Sequence, residues 1–267
     1  MKVLRQLGHF LFSCIPPYSA LLYHLCRRYV DRYNAENNSD IHTNGELRFM
    51  QRVLGNCQTV FDVGANVGRW TAIALGINPQ LNVHCFEPSQ VTYKRLLAQA
   101  FPPSVICNNF GLSSAPGTRT LYVFENGGGM NSLYLREGLE GRHGLEPQKR
   151  TETIRVDTLD RYCEEHGIQA VDFLKLDVEG HELEVLKGAS EMLGAGQIKI
   201  VQFEYGGCNI DARVLLKDLF AFFQRFGYAL YKLYPERLRR VVRYDQRFEN
   251  FQYQNWVAVK DGLEEFA

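Results

Sequence analysis

The segment Thr59-Val60-Phe61-Asp62-Val63-Gly64-Ala65-Asn66-Val67-Gly68-Arg69-Trp70 decides the fold of this chain. Thr59 to Val63 is a short β-rich run, and Arg69 to Ile77 follows with helical character. Gly64 and Gly68 remove side chains where the chain turns sharply and approaches a ligand, and the helix beginning near Gly68 exposes unpaired N–H groups. Asn66 stands where a dinucleotide fingerprint requires its second glycine, which argues against a nicotinamide oxidoreductase. The acidic Asp62 would repel a pyrophosphate and suits a ligand with an ammonium or sulfonium centre.

Working outward, the rhythm repeats. Leu81 to Phe86 reads as a second strand, Val91 to Ala100 as a helix, and Val105 to Asn108 as a third strand. Val171 to Leu176 and Ile198 to Phe203 are two more, separated by a helical segment from His181 to Leu193. Such alternation predicts an α/β fold with a mostly parallel sheet covered on both faces. Tyr228 to Leu233 and Trp256 to Val259 then predict an antiparallel pair closing the sheet. The stretch Leu121 to Arg155, with glycines at 127, 128, 129, 138, 141 and 144, breaks the rhythm. We expect 117–155 to be a flap over the carboxyl edge of the sheet. Residues 1–34 read as two short helices broken at Pro16-Pro17, and Asn34 to Gly45 as a polar hinge. This divides the chain into an arm, 1–45, and a main domain, 46–267.

Thirty Lys and Arg balance thirty Asp and Glu, so no overall field draws the 267-residue chain to nucleic acid. The basic stretch Arg237, Arg239, Arg240, Arg243 and Arg247 suits a solvated hairpin or a contact for phosphate or an acidic partner. Seven scattered cysteines without a CxxC pair suggest buried thiols in a reducing, cytoplasmic setting. Lys2 and Arg5 precede a short apolar run, Phe10 to Ile15, that lacks a convincing cleavage site. The arm therefore suits a packed helix, a peripheral membrane contact or a contact in a homo-oligomer.

Glu87, ending the second strand, is placed to accept hydrogen bonds from both hydroxyls of a ribose. Asn108 and Asn109 end the third strand, where an adenine would lie, or form a turn. Asp62, Gly64, Gly68 and Glu87 together favour an adenosine-containing cofactor over bound phosphate. The later strands end in Asp177, Glu179, His181 and Glu204, which would converge at the carboxyl edge. That group is open to three uses: general-base catalysis, binding of a hard cation such as Mg²⁺, or capping of the following helix by Glu179 and Glu182.

Phe61-Asp62-Val63-Gly64-Ala65-Asn66-Val67-Gly68, Phe86-Glu87-Pro88, Thr158-Leu159-Asp160, Asp172 to Glu182, Leu186-Lys187-Gly188-Ala189, Phe203-Glu204-Tyr205 and Asn255 to Val259 resemble the FkbM-type methyltransferases, in order from about Glu46 to Val259. The resemblance implies a class I, Rossmann-like methyltransferase sheet of seven strands and S-adenosylmethionine as cofactor; a divalent cation such as Mg²⁺ is not expected beside it. It implies O-methylation of a sugar, glycan, or glycosylated or polyketide metabolite. Asp62, Gly64, Asn66, Gly68 and Glu87 would then hold the cofactor, with Asn108 and Asn109 near its adenine. Asp177 becomes the first candidate base, followed by Glu204 and His181. Glu179, Asn131, Ser132 and Tyr205 are expected to shape or touch the acceptor. A nucleic-acid methyltransferase and a non-catalytic scaffold on the same fold are the rival readings.

Overall fold

The apolar runs become strands at nearly the expected bounds in the computed structural model, which describes residues 13, 18–124, 129–136 and 150–263. Five parallel strands form the centre: β1 (Thr59–Val63), β2 (Asn82–Phe86), β3 (Val105–Asn108), β7 (Val171–Leu176) and β8 (Ile198–Tyr205). Three antiparallel strands extend it: β9 (Tyr228–Leu233), β10 (Leu238–Arg240) and β11 (Gln254–Lys260). The order is β10-β9-β11-β8-β7-β1-β2-β3. The sheet thus has eight strands where seven were expected, because Leu238–Arg240 of the basic stretch pairs onto the outer side of β9.

Strand register positions the site. Val63 lies opposite both Phe86 and Leu176, and Leu176 opposite Phe203. Gly64, Glu87, Asp177 and Glu204 therefore fall at four neighbouring carboxyl ends. Alternation along the strands sends Phe61, Val63, Leu174, Leu176 and Phe203 to one apolar layer, and Val60, Phe173 and Ile200 to the other. Each fully buried aromatic or branched side chain contributes about 1.5–3 kcal/mol. The same alternation carries Asp62 and Lys175 into the second layer, a position that demands a charge partner.

The stretch from 121 to 155, expected to be irregular, includes two well-formed strands. β5 (Gly117–Val123) pairs antiparallel with β6 (Arg150–Asp157), and β4 (Gly111–Leu112) joins β6 in a separate three-stranded sheet. Its interior is a small cluster of Leu121, Val123, Ile154 and Val156. Ser132 bridges back to Tyr122. Several of the glycines that obscured the pattern lie outside the described residues.

The helix expected from His181 to Leu193 is broken into Glu182–Lys187 and Ser190–Gly194. Asp160 explains the break. Its carboxylate accepts from the N–H groups of Glu191 and Met192 at 2.9 and 3.0 Å, while its own N–H donates to the Gly188 carbonyl. A second helix start is thereby capped in mid-segment. Of the expected arm, one helix is described, Ala20–Asn34; its expected predecessor lies outside the described residues. The segment expected to be a polar hinge is tied down: Glu36 is buried and accepts from Lys232 Nζ at 3.0 Å and Asn250 Nδ2 at 2.9 Å. No helix among the described residues is long and apolar enough to cross a membrane.

Candidate active site

The first turn is shaped by what stands against it. Gly64 has φ +81°, and a Cβ there would lie 1.8 Å from the carbonyl oxygen of Asp177. The N–H groups of Gly64 and Ala65 both donate to the Phe86 carbonyl, and the Asn66 N–H donates to Glu87 Oε2 at 3.0 Å. Three strand ends are thus fastened into one rim. Gly68 answers a different need from the ligand approach expected of it: a Cβ would meet Phe101 at 2.7 Å and Leu96 at 2.8 Å.

A cavity of about 700 Å³, counting its open mouth, lies over this rim. Gly64, Asn66, Glu87, Asp177, Glu179 and His181 line its floor and walls, and Asn131 reaches it from the segment after β5. The three-stranded sheet covers it with Leu112, Leu121, Ile154 and Val156, and Leu133 packs beside them from the segment after β5. No Lys or Arg lines it among the described residues.

Burial pushes the Glu87 carboxyl up to about 7, against the N–H groups of Ser89 and Asn66 that favour its charge. Glu87 therefore combines the expected position on the cavity with a contact to the entry of the next helix through the Ser89 N–H. Asn66, at φ +49°, has its Oδ1 buried without a hydrogen-bond partner among the described residues. A ligand donor is the natural complement to such an oxygen.

The acidic loop after β7 is more crowded. Lys175 Nζ lies 3.3 Å from both Asp62 Oδ1 and Asp177 Oδ2. Burial alone would lower the lysine, but Asp62, Asp177 and Glu46 outweigh it and hold it above its ordinary value. Glu179, in the left-handed region at φ +52°, pairs with Arg136 at 2.8 Å. Burial and then Asp177 push the Glu179 carboxyl up to about 8, opposed by Arg136. Glu182 accepts from the N–H groups of Val178 and Gly180, which gives it the capping role considered for the acidic group. His181 has Ser113 Oγ at 3.0 Å from Nε2 and Tyr134 Oη at 2.9 Å from Nδ1. Burial lowers it to about 4, so the ring is neutral with both nitrogens engaged. Among the described residues no His, Cys, Asp or Glu side chains are grouped to hold a metal ion.

Several expected residues are placed elsewhere. Asp62 is fully buried below the cavity, held by Thr71 Oγ1 at 2.7 Å and by Lys175. The Asn108 amide donates to the Cys85 carbonyl and Tyr162 Oη, and the Asn109 amide to the carbonyls of Glu87 and Pro88. Those amides tie strand ends together instead of facing the cavity. Tyr205 is enclosed in the apolar layer with its hydroxyl on Glu249. Ser132 is buried and donates to the Glu179 carbonyl at 2.8 Å, supporting the acidic loop from behind. Glu204 accepts from Tyr253 Oη at 2.7 Å; burial, Asp177 and Glu179 hold its carboxyl well above the ordinary range. Lys175 and Arg136 are the residues that reading the sequence missed. The alternation that buries Asp62 also buries Lys175, and that signal was available.

An acid-rimmed cavity at the carboxyl ends of a β3-β2-β1-β7-β8 sheet, with an antiparallel β11 beyond, defines a class I methyltransferase fold. Residues 62–230 match the methyltransferase FkbM domain, and the chain belongs to that family. It is 29% identical over 199 residues to the hexuronic acid methyltransferase AglP of Haloferax volcanii, covering 71% of this chain and 77% of that protein. It is 33% identical over 185 residues to the methyltransferase sdnD of Sordaria araneosa, covering 60% and 71%. The 31-O-demethyl-FK506 methyltransferase FkbM of Streptomyces tacrolimicus is 29% identical over 158 residues, covering 49% and 59%. The chain is a methyltransferase.

Proposed function

We propose that this methyltransferase moves a methyl group from S-adenosylmethionine to a hydroxyl oxygen of a sugar, glycan or glycosylated small molecule. The observation that carries this reading is the Asp177 carboxylate on the cavity wall, its backbone packed against Gly64. Glu87 would accept from the ribose hydroxyls, Asn66 Oδ1 from a donor of the cofactor, and Phe86 and Leu112 would flank its apolar parts. The cofactor supplies an electrophilic methyl group on a sulfonium. A cavity lined by carboxylates and, among the described residues, by no Lys or Arg suits that positive centre and disfavours a phosphate.

Asp177 accepts the proton of the attacking hydroxyl. About a third of its side chain is exposed, and Lys175 fixes one of its oxygens. Neutral His181, held by Ser113 and Tyr134, fixes the loop after β7 beside the acceptor, and Arg136 steadies Glu179 on the same loop. Within 117–155, Leu121, Asn131, Leu133 and Ile154 serve as the acceptor-side cover. AglP acts on a hexuronic acid by its name, and the FkbM relative on an FK506 precursor, which supports hydroxylated small molecules or glycans as the acceptor class.

The geometry speaks against a nucleic-acid groove. Arg239 and Arg240 lie on β10, with β9, β11 and β8 between it and β7. At ~4.8 Å per strand that places them about 20 Å from the β7 end. Arg247 is engaged by Asp245. The test is methyl transfer from labelled S-adenosylmethionine to uronic-acid glycans, hydroxylated macrolides and RNA in parallel, with and without chelator. Label in RNA alone would overturn the reading.

A further inference from the structure

The helix Ala20–Asn34 buries none of its fifteen residues. Leu21, Leu25, Tyr29 and Tyr33 recur every fourth position and form one stripe, with exposures of 74, 55, 70 and 72%. At about 100° per residue, Arg28 and Arg32 border one edge of that stripe. The helix carries three arginines against one aspartate, Asp31. Arg28 and Arg32 form no ion pair among the described residues. Stable helices of this length in water normally bury an apolar face.

Its base, by contrast, is rigid. Ala35 ends the helix in the left-handed region at φ +55°, and the Asn37 N–H donates to the Tyr253 carbonyl at 2.9 Å. Asn37 Nδ2 also reaches Gln252 at 2.8 Å. Buried Glu36, held by Lys232 and Asn250, completes the joint. Tyr253 is also the residue whose hydroxyl meets Glu204. A helix with a free apolar stripe is thus mounted firmly beside the acidic end of β8.

We infer that this helix lies on an anionic lipid surface, its Leu and Tyr stripe in the headgroup boundary and Arg28 and Arg32 on lipid phosphates. Charge decides the occupant. A second copy of the helix packed antiparallel, stripe to stripe, would bring the two arginine edges to one side. A parallel copy would leave both arginine edges without a counter-charge, whereas an anionic surface complements them. Tyrosines carrying an apolar ring and a polar tip suit that boundary. This inference stands apart from the reaction proposed above.

The test is flotation of the full chain with vesicles of phosphatidylcholine alone or with about 30% phosphatidylglycerol, across a salt series. The wild type is expected to float with the anionic vesicles only, and less as salt rises. Arg28→Gln with Arg32→Gln should weaken partitioning about 30-fold, and Leu25→Ser with Tyr29→Ser at least ~10-fold. Both double variants should keep the wild-type melting temperature and affinity for S-adenosylhomocysteine, since these side chains pack against no core residue. Failure to float, equal flotation with neutral vesicles, or a dimer in light scattering that the Leu25/Tyr29 variant abolishes would each overturn the inference.

Discussion

At Asp62 the carboxylate is fully enclosed, with Thr71 on one oxygen and Lys175 on the other, whereas at Asp177 the same ammonium meets a carboxylate about a third exposed. The two acids sit on neighbouring strands, yet the cavity touches only the second. What separates them is pleat direction. Asp62 lies one residue inside the end of β1 and turns into the apolar layer, while Asp177 lies one residue past the end of β7 and lines the cavity. An acid in a glycine-turn motif can therefore be a counter-ion of the scaffold and not a ligand contact.

The largest expected effect breaks that pairing. Asp62→Ala leaves Lys175 buried without its enclosed partner and should cost about 3–5 kcal/mol in urea unfolding. Unchanged stability with lost cofactor binding would instead make Asp62 a ligand contact. Asp177→Asn should leave stability within about 1 kcal/mol and cofactor affinity within severalfold, while turnover falls at least ~100-fold. Calorimetry beside a methyl-transfer assay separates the two results.

Protonation at Glu87 sharpens the contrast further. Its carboxyl is held at about 7, so it is mostly neutral at pH 6 and mostly ionised at pH 8. Affinity for S-adenosylhomocysteine should fall on the order of tenfold from pH 8 to pH 6. The effect on stability has the opposite sense. Because the folded state binds this proton more readily than the unfolded chain, the contribution is full below about pH 4.3 and lost as pH rises through about 7. Glu87→Gln should flatten both profiles, and an unchanged binding profile would remove Glu87 from the ribose. The smallest effect is expected at Asn109→Ala: a loss of about 1 kcal/mol, from two amide hydrogen bonds to backbone, with cofactor affinity unchanged within twofold.

Much of this architecture was legible because parallel strands must be continuous apolar runs. Val171 to Leu176 and Val105 to Asn108 matched their strands residue for residue. The missed strand β10 is short, two of its three residues are arginine, and it is defined only by pairing with β9. The single helix expected from His181 to Leu193 is two helices because the interruption is capped by Asp160, more than twenty residues away in sequence. In the site, residue types at strand ends pointed to Glu87 and Asp177, but side-chain direction did not follow from type. Asn108, Asn109 and Tyr205 look like ligand contacts as letters, yet their polar atoms are spent on the Cys85, Glu87 and Pro88 carbonyls, Tyr162 and Glu249.

Gly64 sets a spacing that neither loop can change alone. With only a hydrogen on its α-carbon, the turn after β1 seats directly on the Asp177 carbonyl. One added methyl would push the Asp177 loop away from the turn after β1, so the gap between them is gauged by the absence of a single carbon atom. Enlarging this enzyme's pocket for bulkier acceptors is therefore a task for the roof, where Leu121 and Leu133 can vary without touching that seat.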